Sequence, residues 1–258
     1  MTLTLRAREY GSSPRRVVVV HGGPGAAGEV APVAHELGAR GYGVLEPFQT
    51  EMSLAGQVDE LRYAIEHSCQ PPVALIGWSW GAWLGCLLAA TYSTLVAKLI
   101  LVGSGPFEAE HAEMIKPTRL SRLKEGERQE YAGLISDLED PAKLKRAMSL
   151  FEKMDTYAPN AEPRPQVLFD KAIHHAVWAE ASSLRQSGEL LQIIGKIGCP
   201  VTAIHGDYDP HPASGVERPL HLRVTRASFV LLDRCGHRPW QEVHARDIFY
   251  RELEKAIS

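Results

Sequence analysis

The pentapeptide Gly77-Trp78-Ser79-Trp80-Gly81 and its flanks constrain the fold more than any other stretch of the chain. A short apolar run, Val73–Ile76, precedes it, and helix-forming residues without proline follow it over Ala82–Ala90. Strand, sharp turn and helix is the context in which a G-x-S-x-G pattern predicts a nucleophilic serine rather than an ordinary turn. A serine at the tip of such a turn has a strained backbone, so small residues are needed two positions away on each side. The hydroxyl of Ser79 would then stand at the positive end of the following helix, where a developing anion is stabilised.

The remaining hydrophobic pattern predicts strands that alternate with helices, which is typical of an α/β fold with a mostly parallel sheet flanked by helices. Four consecutive valines, Val17–Val20, suit a parallel strand buried on both faces. Ser53 is a predicted helix N-cap. The predicted strands are Thr2–Tyr10, Val17–Val20, Tyr42–Leu45, Val73–Ile76, Val96–Val102, Pro200–His205 and Ser228–Leu232; the predicted helices outside residues 107–190 are Glu29–Ala39, Ser53–Ala64, Ala82–Ala90 and Val243–Ile257.

The composition changes after Pro106, a few residues beyond the predicted strand that ends near Val102. Residues 107–190 contain many charges, no convincing strand and three amphipathic helical patterns, at Ser121–Leu138, Pro141–Met154 and Val167–Leu184. We therefore predict a core domain of residues 1–106 and 191–258, interrupted by a helical cap of residues 107–190. An insertion of this size usually covers a site, although decorative packing or a dimer surface is the alternative.

The bulk composition excludes several classes of function. The chain has 258 residues, a formal net charge of -3 and a pI near 6.4, which gives no reason to expect a nucleic acid or an anionic membrane as partner. No apolar run is long enough to span a bilayer, and charged residues at the N-terminus argue against a signal peptide. The four cysteines are widely spaced without a C-x-x-C pair, so we expect free thiols, a cytoplasmic location and no structural metal.

A nucleophilic serine needs a base to accept its proton and a carboxylate to orient that base. Both residue types follow predicted strands: Asp207 and Asp209 come after Pro200–His205, and His237 comes after Ser228–Leu232. The carboxyl ends of parallel strands share one edge of a sheet, so these side chains can meet Ser79 despite their separation in sequence.

Four motifs in this order resemble the α/β-hydrolase fold family, and the resemblance covers nearly the whole chain. His21-Gly22-Gly23-Pro24-Gly25 is similar to the oxyanion loop of the family, Gly77-Trp78-Ser79-Trp80-Gly81 to its nucleophile elbow, Gly206-x-x-Asp209 to its acid loop and Gly236-His237 to its base loop. Within this family, the combination of an HGGPG loop and a Ser-Trp-Gly elbow is most similar to the prolyl iminopeptidase branch.

The resemblance implies a Ser79, Asp209 and His237 triad. It also implies an oxyanion hole formed by the backbone N–H groups of Gly23 and Trp80, since a proline at position 24 has none to give. His21 is then a histidine that braces its own loop rather than the base, and Asp207, the rival to Asp209, is a residue that hydrogen-bonds within its turn.

Three other readings compete with this one. Gly23-Pro24-Gly25-Ala26-Ala27-Gly28 satisfies the dinucleotide-binding pattern G-x-G-x-x-G, and Glu46 lies at the spacing of a ribose-binding acid, which would make the protein an NAD-dependent oxidoreductase. Four alternating residues could bind a metal: His205, Asp207, Asp209 and His211. A turn at Gly206 and Pro210 interrupts this alternation. A member of the fold that keeps the pocket only as a receptor is the third alternative.

The sequence thus predicts a serine hydrolase that cleaves a small ester or amide through an acyl-enzyme, with a prolyl iminopeptidase-like aminopeptidase as the nearest alternative. Neither an organic cofactor nor a metal is implied, and a small-molecule substrate is the expected partner. Trp78, Phe151, Tyr157 and Trp178 are candidates for an apolar substrate pocket, with packing in the core as the competing role for each.

Overall fold

The computed structural model describes residues 6–135 and 140–258. Within these residues, seven strands form one sheet in the order β1-β4-β2-β5-β6-β8-β9, and two short strands, β3 and β7, pair separately. The strand β1 runs antiparallel to β4, and every other pair in the large sheet is parallel. The strands are β1 Ala7–Tyr10, β2 Arg15–Val20, β3 Ala26–Ala27, β4 Gly43–Pro47, β5 Val73–Trp78, β6 Val96–Val102, β7 Leu168–Phe169, β8 Val201–Gly206 and β9 Ala227–Leu232.

Helices cover both faces of this sheet. They are α1 Ala31–Ala39, α2 Leu54–Ser68, α3 Trp80–Thr91, α4 Ala109–Glu113, α5 Ile115–Ser121, α6 Glu125–Leu134, α7 Pro141–Asp155, α8 Lys171–Gln186, α9 Glu189–Ile194, α10 Ser214–Arg223 and α11 Arg246–Ile257, with short 3-10 turns at Ser93–Leu95 and Pro239–Gln241. None of the helices in the described residues is both long and apolar enough to cross a membrane. The predicted fold class, a mostly parallel α/β sheet flanked by helices, is confirmed.

The alternation of side chains along the central strands divides the core into two layers. In β2, Val18 and Val20 pack with residues of α2, α3 and α10, whereas Val17 and Val19 pack with residues of α1 and α11. Both sets are buried, which explains why the strand is an unbroken run of valines instead of an apolar-polar alternation.

Several predicted boundaries agree with the structure. Ser53 caps α2, where its Oγ accepts a hydrogen bond from the Gly56 N–H at 3.1 Å. The predicted strand Thr2–Tyr10 is observed from Ala7 onward, and its residues 2–5 lie outside the described part of the chain.

The segment between β6 and β8 is mostly helical, and it differs from the predicted helices in two details. A helix predicted over Val167–Leu184 begins only at Lys171, because Leu168–Phe169 form β7 and the Asp170 carboxylate caps the helix. The pattern at Ser121–Leu138 contains the helix Glu125–Leu134, and its residues 136–138 lie outside the described chain.

Candidate active site

The nucleophile elbow lies between β5 and α3, where Ser79 has φ 55° and ψ -115°. Left-handed backbone of this kind is unfavourable for a residue with a Cβ, and it is retained where the surroundings enforce it. Both flanking glycines are required by close packing. A Cβ on Gly77 would overlap the carbonyl of Gly81, and a Cβ on Gly81 would overlap the carbonyl of Val20. The Ser79 N–H donates to the carbonyl of Val102 at 2.9 Å, which ties the elbow to the end of the adjacent strand.

The predicted acid and the predicted base meet at the same edge of the sheet. His237 Nδ1 lies 2.8 Å from Asp209 Oδ2, and both residues are buried. Burial alone would raise the pKa of Asp209, but the neighbouring histidines, His237 first, outweigh it and hold this pKa well below its ordinary value. Burial also lowers the pKa of His237, with Asp209 opposing that effect. The imidazole is therefore neutral at neutral pH, which is the form that accepts a proton.

The residues next to Ser79 contact the loop of His237. The neighbour of the serine in sequence, Trp78, donates its indole N–H to the carbonyl of His237 at 2.9 Å, and their rings lie 5.0 Å apart. A Cβ on Gly103, which follows the strand that binds the Ser79 N–H, would lie 3.2 Å from His237 Nδ1 and 3.3 Å from Asp209 Oδ2. Among the described residues the Ser79 hydroxyl makes no hydrogen bond, so it is available to a substrate.

Two further histidines surround Asp209, and the sequence did not indicate their role. His211 Nδ1 lies 2.7 Å from Asp209 Oδ1, the His211 N–H donates to the same oxygen at 2.9 Å, and the rings of His211 and His237 stack with centroids 4.4 Å apart. His205 Nε2 lies 2.8 Å from the carbonyl of His211 and 3.6 Å from Asp209 Oδ2. Only the tight turn after β8, which cannot be located from spacing alone, brings these rings together.

The metal hypothesis can be compared with this arrangement. Of the four alternating residues, His205, Asp209 and His211 converge, whereas Asp207 is exposed and accepts the Cys235 N–H at 3.0 Å. Asp209, His211 and His237 each offer a possible ligand atom, and these atoms lie within 4.8 Å of one another. In the structure the two oxygens of Asp209 are instead shared between the two imidazoles as hydrogen-bond acceptors.

His21 is packed into its loop with both ring nitrogens engaged. Nδ1 lies 2.8 Å from the carbonyl of Gly22, and Nε2 accepts the N–H of Gln49 at 3.1 Å. The Gln49 side chain in turn donates to the carbonyl of His21 at 2.8 Å. Burial lowers the pKa of His21 to about 4. A buried neutral histidine with both nitrogens occupied braces the loop and has no free lone pair for catalysis.

The two predicted oxyanion donors come from different segments, Trp80 from the elbow and Gly23 from the loop between β2 and β3. Trp80 is the first residue of α3, so its N–H is one of the amides that a helix leaves without an internal partner. Gly23 has φ 114°, a conformation that favours glycine. Among the described residues neither N–H donates a hydrogen bond, which leaves both for a ligand.

The loop that carries Gly23 is not built like a dinucleotide-binding loop. After Gly25 the chain forms β3, which pairs with β7, and α1 begins only at Ala31, so the loop does not open a helix as the Rossmann pattern requires. The carboxylate of Glu46 is fully buried and accepts the hydroxyl of Tyr10 at 2.8 Å. Neither element supports the oxidoreductase alternative.

The predicted pocket residues have different surroundings. Trp78 is buried, with Trp240 edge-on at 5.3 Å, so its side chain supports the base loop from beneath. Phe151 packs in the small core of the insertion, under the guanidinium of Arg119 at 4.3 Å. Trp178 is 37% exposed and therefore reachable by a substrate.

The insertion touches the catalytic edge from two sides. At the end of α7 the carbonyl of Asp155 accepts the N–H of His237 at 2.8 Å, while the Asp155 carboxylate forms a two-pronged ion pair with Arg119. At the start of α8 the N–H of Asp170 donates to the carbonyl of Gly25 at 2.9 Å. Helices of the insertion thus hold both the base loop and the oxyanion loop.

Glu242 completes the base loop and was not identified from the sequence. Its buried carboxylate accepts three backbone N–H groups at 2.8 Å each, from Tyr157, Ala158 and Gly236. The residue lies beyond every recognisable motif, which is why no pattern pointed to it.

Comparison with known proteins is consistent with this geometry. Residues 15–237 match the sequence model that describes the alpha/beta hydrolase fold. No curated protein sequence matches the chain significantly. Solved structures do: VinJ has a TM-score of 0.73 at 16% identity, with 97% of this chain and 93% of that chain covered.

Two other solved structures are similar over the same extent. E-2-(Acetamidomethylene)succinate hydrolase has a TM-score of 0.66 at 19% identity, with 98% of this chain and 94% of that chain covered. A putative lipase from Acinetobacter baumannii AYE has a TM-score of 0.65 at 18% identity, with 98% of this chain and 92% of that chain covered.

Proposed function

The chain belongs to the α/β-hydrolase fold family, and we propose that it is a serine hydrolase that cleaves a small ester or amide through an acyl-enzyme. Its family supports a hydrolase, and the residues at the sheet edge supply the parts of a serine mechanism. In this proposal Ser79 is the nucleophile, His237 the base and then the acid, and Asp209 the residue that orients the imidazole.

Each step uses a group whose position has been described. Nε2 of His237 takes the proton of Ser79 Oγ as that oxygen bonds to the substrate carbonyl carbon. The carbonyl oxygen becomes an anion facing the N–H groups of Gly23 and Trp80. The imidazolium then gives its proton to the leaving group as the bond from carbon to the leaving group breaks, which leaves an ester on Ser79. Water repeats the sequence, with the proton again carried by His237, and releases the acid and the free serine.

The observation that carries the proposal is the 2.8 Å contact between His237 Nδ1 and Asp209 Oδ2, next to a serine held at φ 55°. A carboxylate on Nδ1 fixes the tautomer whose free lone pair is on Nε2. The strained serine conformation supports the same conclusion independently, since such strain concentrates at functional sites. A receptor would need neither feature.

The test compares nitrophenyl esters of increasing acyl length with nitroanilides of proline and alanine, using the wild-type protein and Ser79→Ala. We expect hydrolysis of at least one class that disappears in Ser79→Ala while the circular dichroism spectrum is unchanged. Activity on the prolyl amide alone would select the aminopeptidase alternative. Activity that survives in Ser79→Ala would contradict the proposal.

We further propose that the helical insertion acts as a lid over Ser79 and that the substrate is a small molecule. Its support is the pair of contacts that α7 and α8 make with the base and oxyanion loops. A cytoplasmic location is also part of the proposal, and it rests on four free thiols, of which Cys86 and Cys235 are buried. Replacing cap residues at the entrance should change the substrate range more than the stability of the core.

A further inference from the structure

Arg185, near the end of α8, is a half-buried cation without a counter-ion. Its Nε is buried and has no hydrogen-bond partner, and no carboxylate in the described chain lies within 4.0 Å of its guanidinium. The pKa of Arg185 is lowered by burial, with no acidic group acting on it. By contrast, two other arginines that are largely shielded from solvent, Arg119 and Arg238, each face a carboxylate. Shielding a cation without a counter-charge costs free energy, so its retention points to a ligand.

Two tryptophans surround the guanidinium. The Cζ atom lies 5.2 Å from the ring centroid of Trp83 and 5.9 Å from that of Trp178. The two indoles are nearly parallel, 6.1 Å apart at 17°, and Trp178 stacks in turn on His174 at 6.3 Å and 9°. Such rings hold the guanidinium in place from the side and leave its N–H groups free to donate.

This row of rings leads toward the proposed nucleophile. His174, Trp178 and Arg185 are spaced by four and seven residues on α8, so they share one face of the helix. His174 lies beside the carbonyls of the Gly23-Pro24 loop. On the facing helix, Trp83 comes four residues after Ser79, which is about 6 Å along the axis. This face of α8 therefore runs from His174, beside the loop that carries Gly23, past the partly exposed Trp178 to Arg185.

We propose that Arg185 binds a carboxylate at the far end of the substrate, whose apolar segment lies against Trp178 and His174. The inference rests on the proposed serine hydrolase function and adds a substrate class to it: an ester or amide with an apolar chain and a terminal carboxylate. One guanidinium matches one negative charge, and its planar fork fits the two oxygens of a carboxylate.

The experiment uses nitrophenyl monoesters of linear dicarboxylic acids with chains from about four to ten carbons, and methyl-terminated esters of equal length. A second series of esters carries the carboxylate at the end of the alcohol part instead of the acyl part. The values of kcat/KM are measured for the wild-type protein, Arg185→Gln, Arg185→Lys and the matched control Arg128→Gln. Arg128 is an exposed cap arginine paired with Glu125, so its replacement makes the same change in net charge away from the aromatic row.

At the best chain length in one series, Arg185→Gln should lower kcat/KM for the carboxylate-terminated ester by about ten- to a hundredfold and change the methyl-terminated ester by less than about twofold. Arg185→Lys should restore part of the loss. Equal losses for both ester types, no preference at any length in either series, or the same selective loss in Arg128→Gln would overturn the inference.

Failure of this inference is distinguishable from failure of the proposed function. If Ser79→Ala abolishes hydrolysis of the methyl-terminated esters but Arg185→Gln does not discriminate between the ester types, only the carboxylate subsite is wrong. If Ser79→Ala remains active on every ester, the serine mechanism itself is wrong, and the subsite proposal that rests on it fails as well.

Discussion

His211 offers a perturbation whose effect can be worked out from the structure. Its Nδ1 lies 2.7 Å from the oxygen of Asp209 that does not face His237, and its ring stacks on the ring of His237 with centroids 4.4 Å apart. Three replacements separate these contacts. In His211→Asn the amide nitrogen can take the place of Nδ1 and keep the donor without the ring, His211→Phe keeps a ring without the donor, and His211→Ala removes both.

The expected magnitude follows from the 2.7 Å contact with a buried carboxylate. A hydrogen bond to a charged group contributes about 1.5–3 kcal/mol, which corresponds to about ten- to a hundredfold in rate if it is lost from the oriented triad. Asp209 keeps the backbone N–H of residue 211 on the same oxygen, so the lower half of that range is expected. His211→Phe and His211→Ala should therefore lose about tenfold in kcat with little change in KM, and His211→Asn should lose less.

The pH profile distinguishes positioning from a general loss of structure. Burial lowers the pKa of His237, and the electrostatic interaction with His211 lowers it further, so removing His211 should raise that pKa. The acidic limb of kcat/KM should move to higher pH in all three variants, because the base is protonated earlier as pH falls. All three variants leave the other charged groups around His237 and Asp209 in place, among them Asp155, Glu29 and Arg122. Rates within twofold of wild type and an unmoved midpoint in all three variants would refute the reasoning.

Three other predictions concern the neighbouring groups. Asp209→Asn should lower kcat by up to about 10⁴-fold, as in other triads, whereas Asp207→Asn should change kcat little. If steady-state kinetics showed the larger loss in Asp207→Asn, Asp207 would be the residue that orients the imidazole. His21 should make the fold acid-sensitive: its folded pKa of about 4 lies below the ordinary 6.5, so stability is complete above pH 6.5 and falls by up to about 3 kcal/mol as pH drops to 4. Urea unfolding at several pH values should show a smaller fall in His21→Asn, and an equal fall would assign the sensitivity elsewhere. Glu242→Ala should destabilise the protein by about 1–3 kcal/mol, because one buried and two partly buried backbone N–H groups lose their acceptor, and an unchanged melting temperature would contradict this.

The parts of the molecule that could be predicted are those encoded by local pattern. The strands around Val17–Val20 and Val73–Ile76 are continuous apolar runs, and Ser53 stands directly before an amphipathic segment. The need for the two elbow glycines could also be predicted, because a strained serine turn tolerates no side chain at Gly77 or Gly81. Motif order then placed Asp209 and His237 at one edge of the sheet.

What could not be predicted depends on contacts between distant segments. The strand Leu168–Phe169 exists because Ala26–Ala27 of the oxyanion loop pairs with it, and two residues carry no periodic signal. His211 reaches Asp209 only through the shape of a tight turn. Arg185 looks in the sequence like any charged residue on an amphipathic helix, and only the folded arrangement shows that it faces no carboxylate among the described residues.

The most direct test of the account is covalent labelling with a fluorophosphonate, followed by peptide mass spectrometry across a pH series. We predict one modification, on Ser79, with a rate that falls as His237 becomes protonated; because burial lowers the pKa of that ring, the midpoint should lie below about 6.5. His237→Ala should nearly abolish labelling, Ser79→Ala should abolish it, and His221→Ala, which changes an exposed histidine of α10, should leave it unchanged. Labelling at full rate in His237→Ala, or at any residue in Ser79→Ala, would contradict the proposed triad.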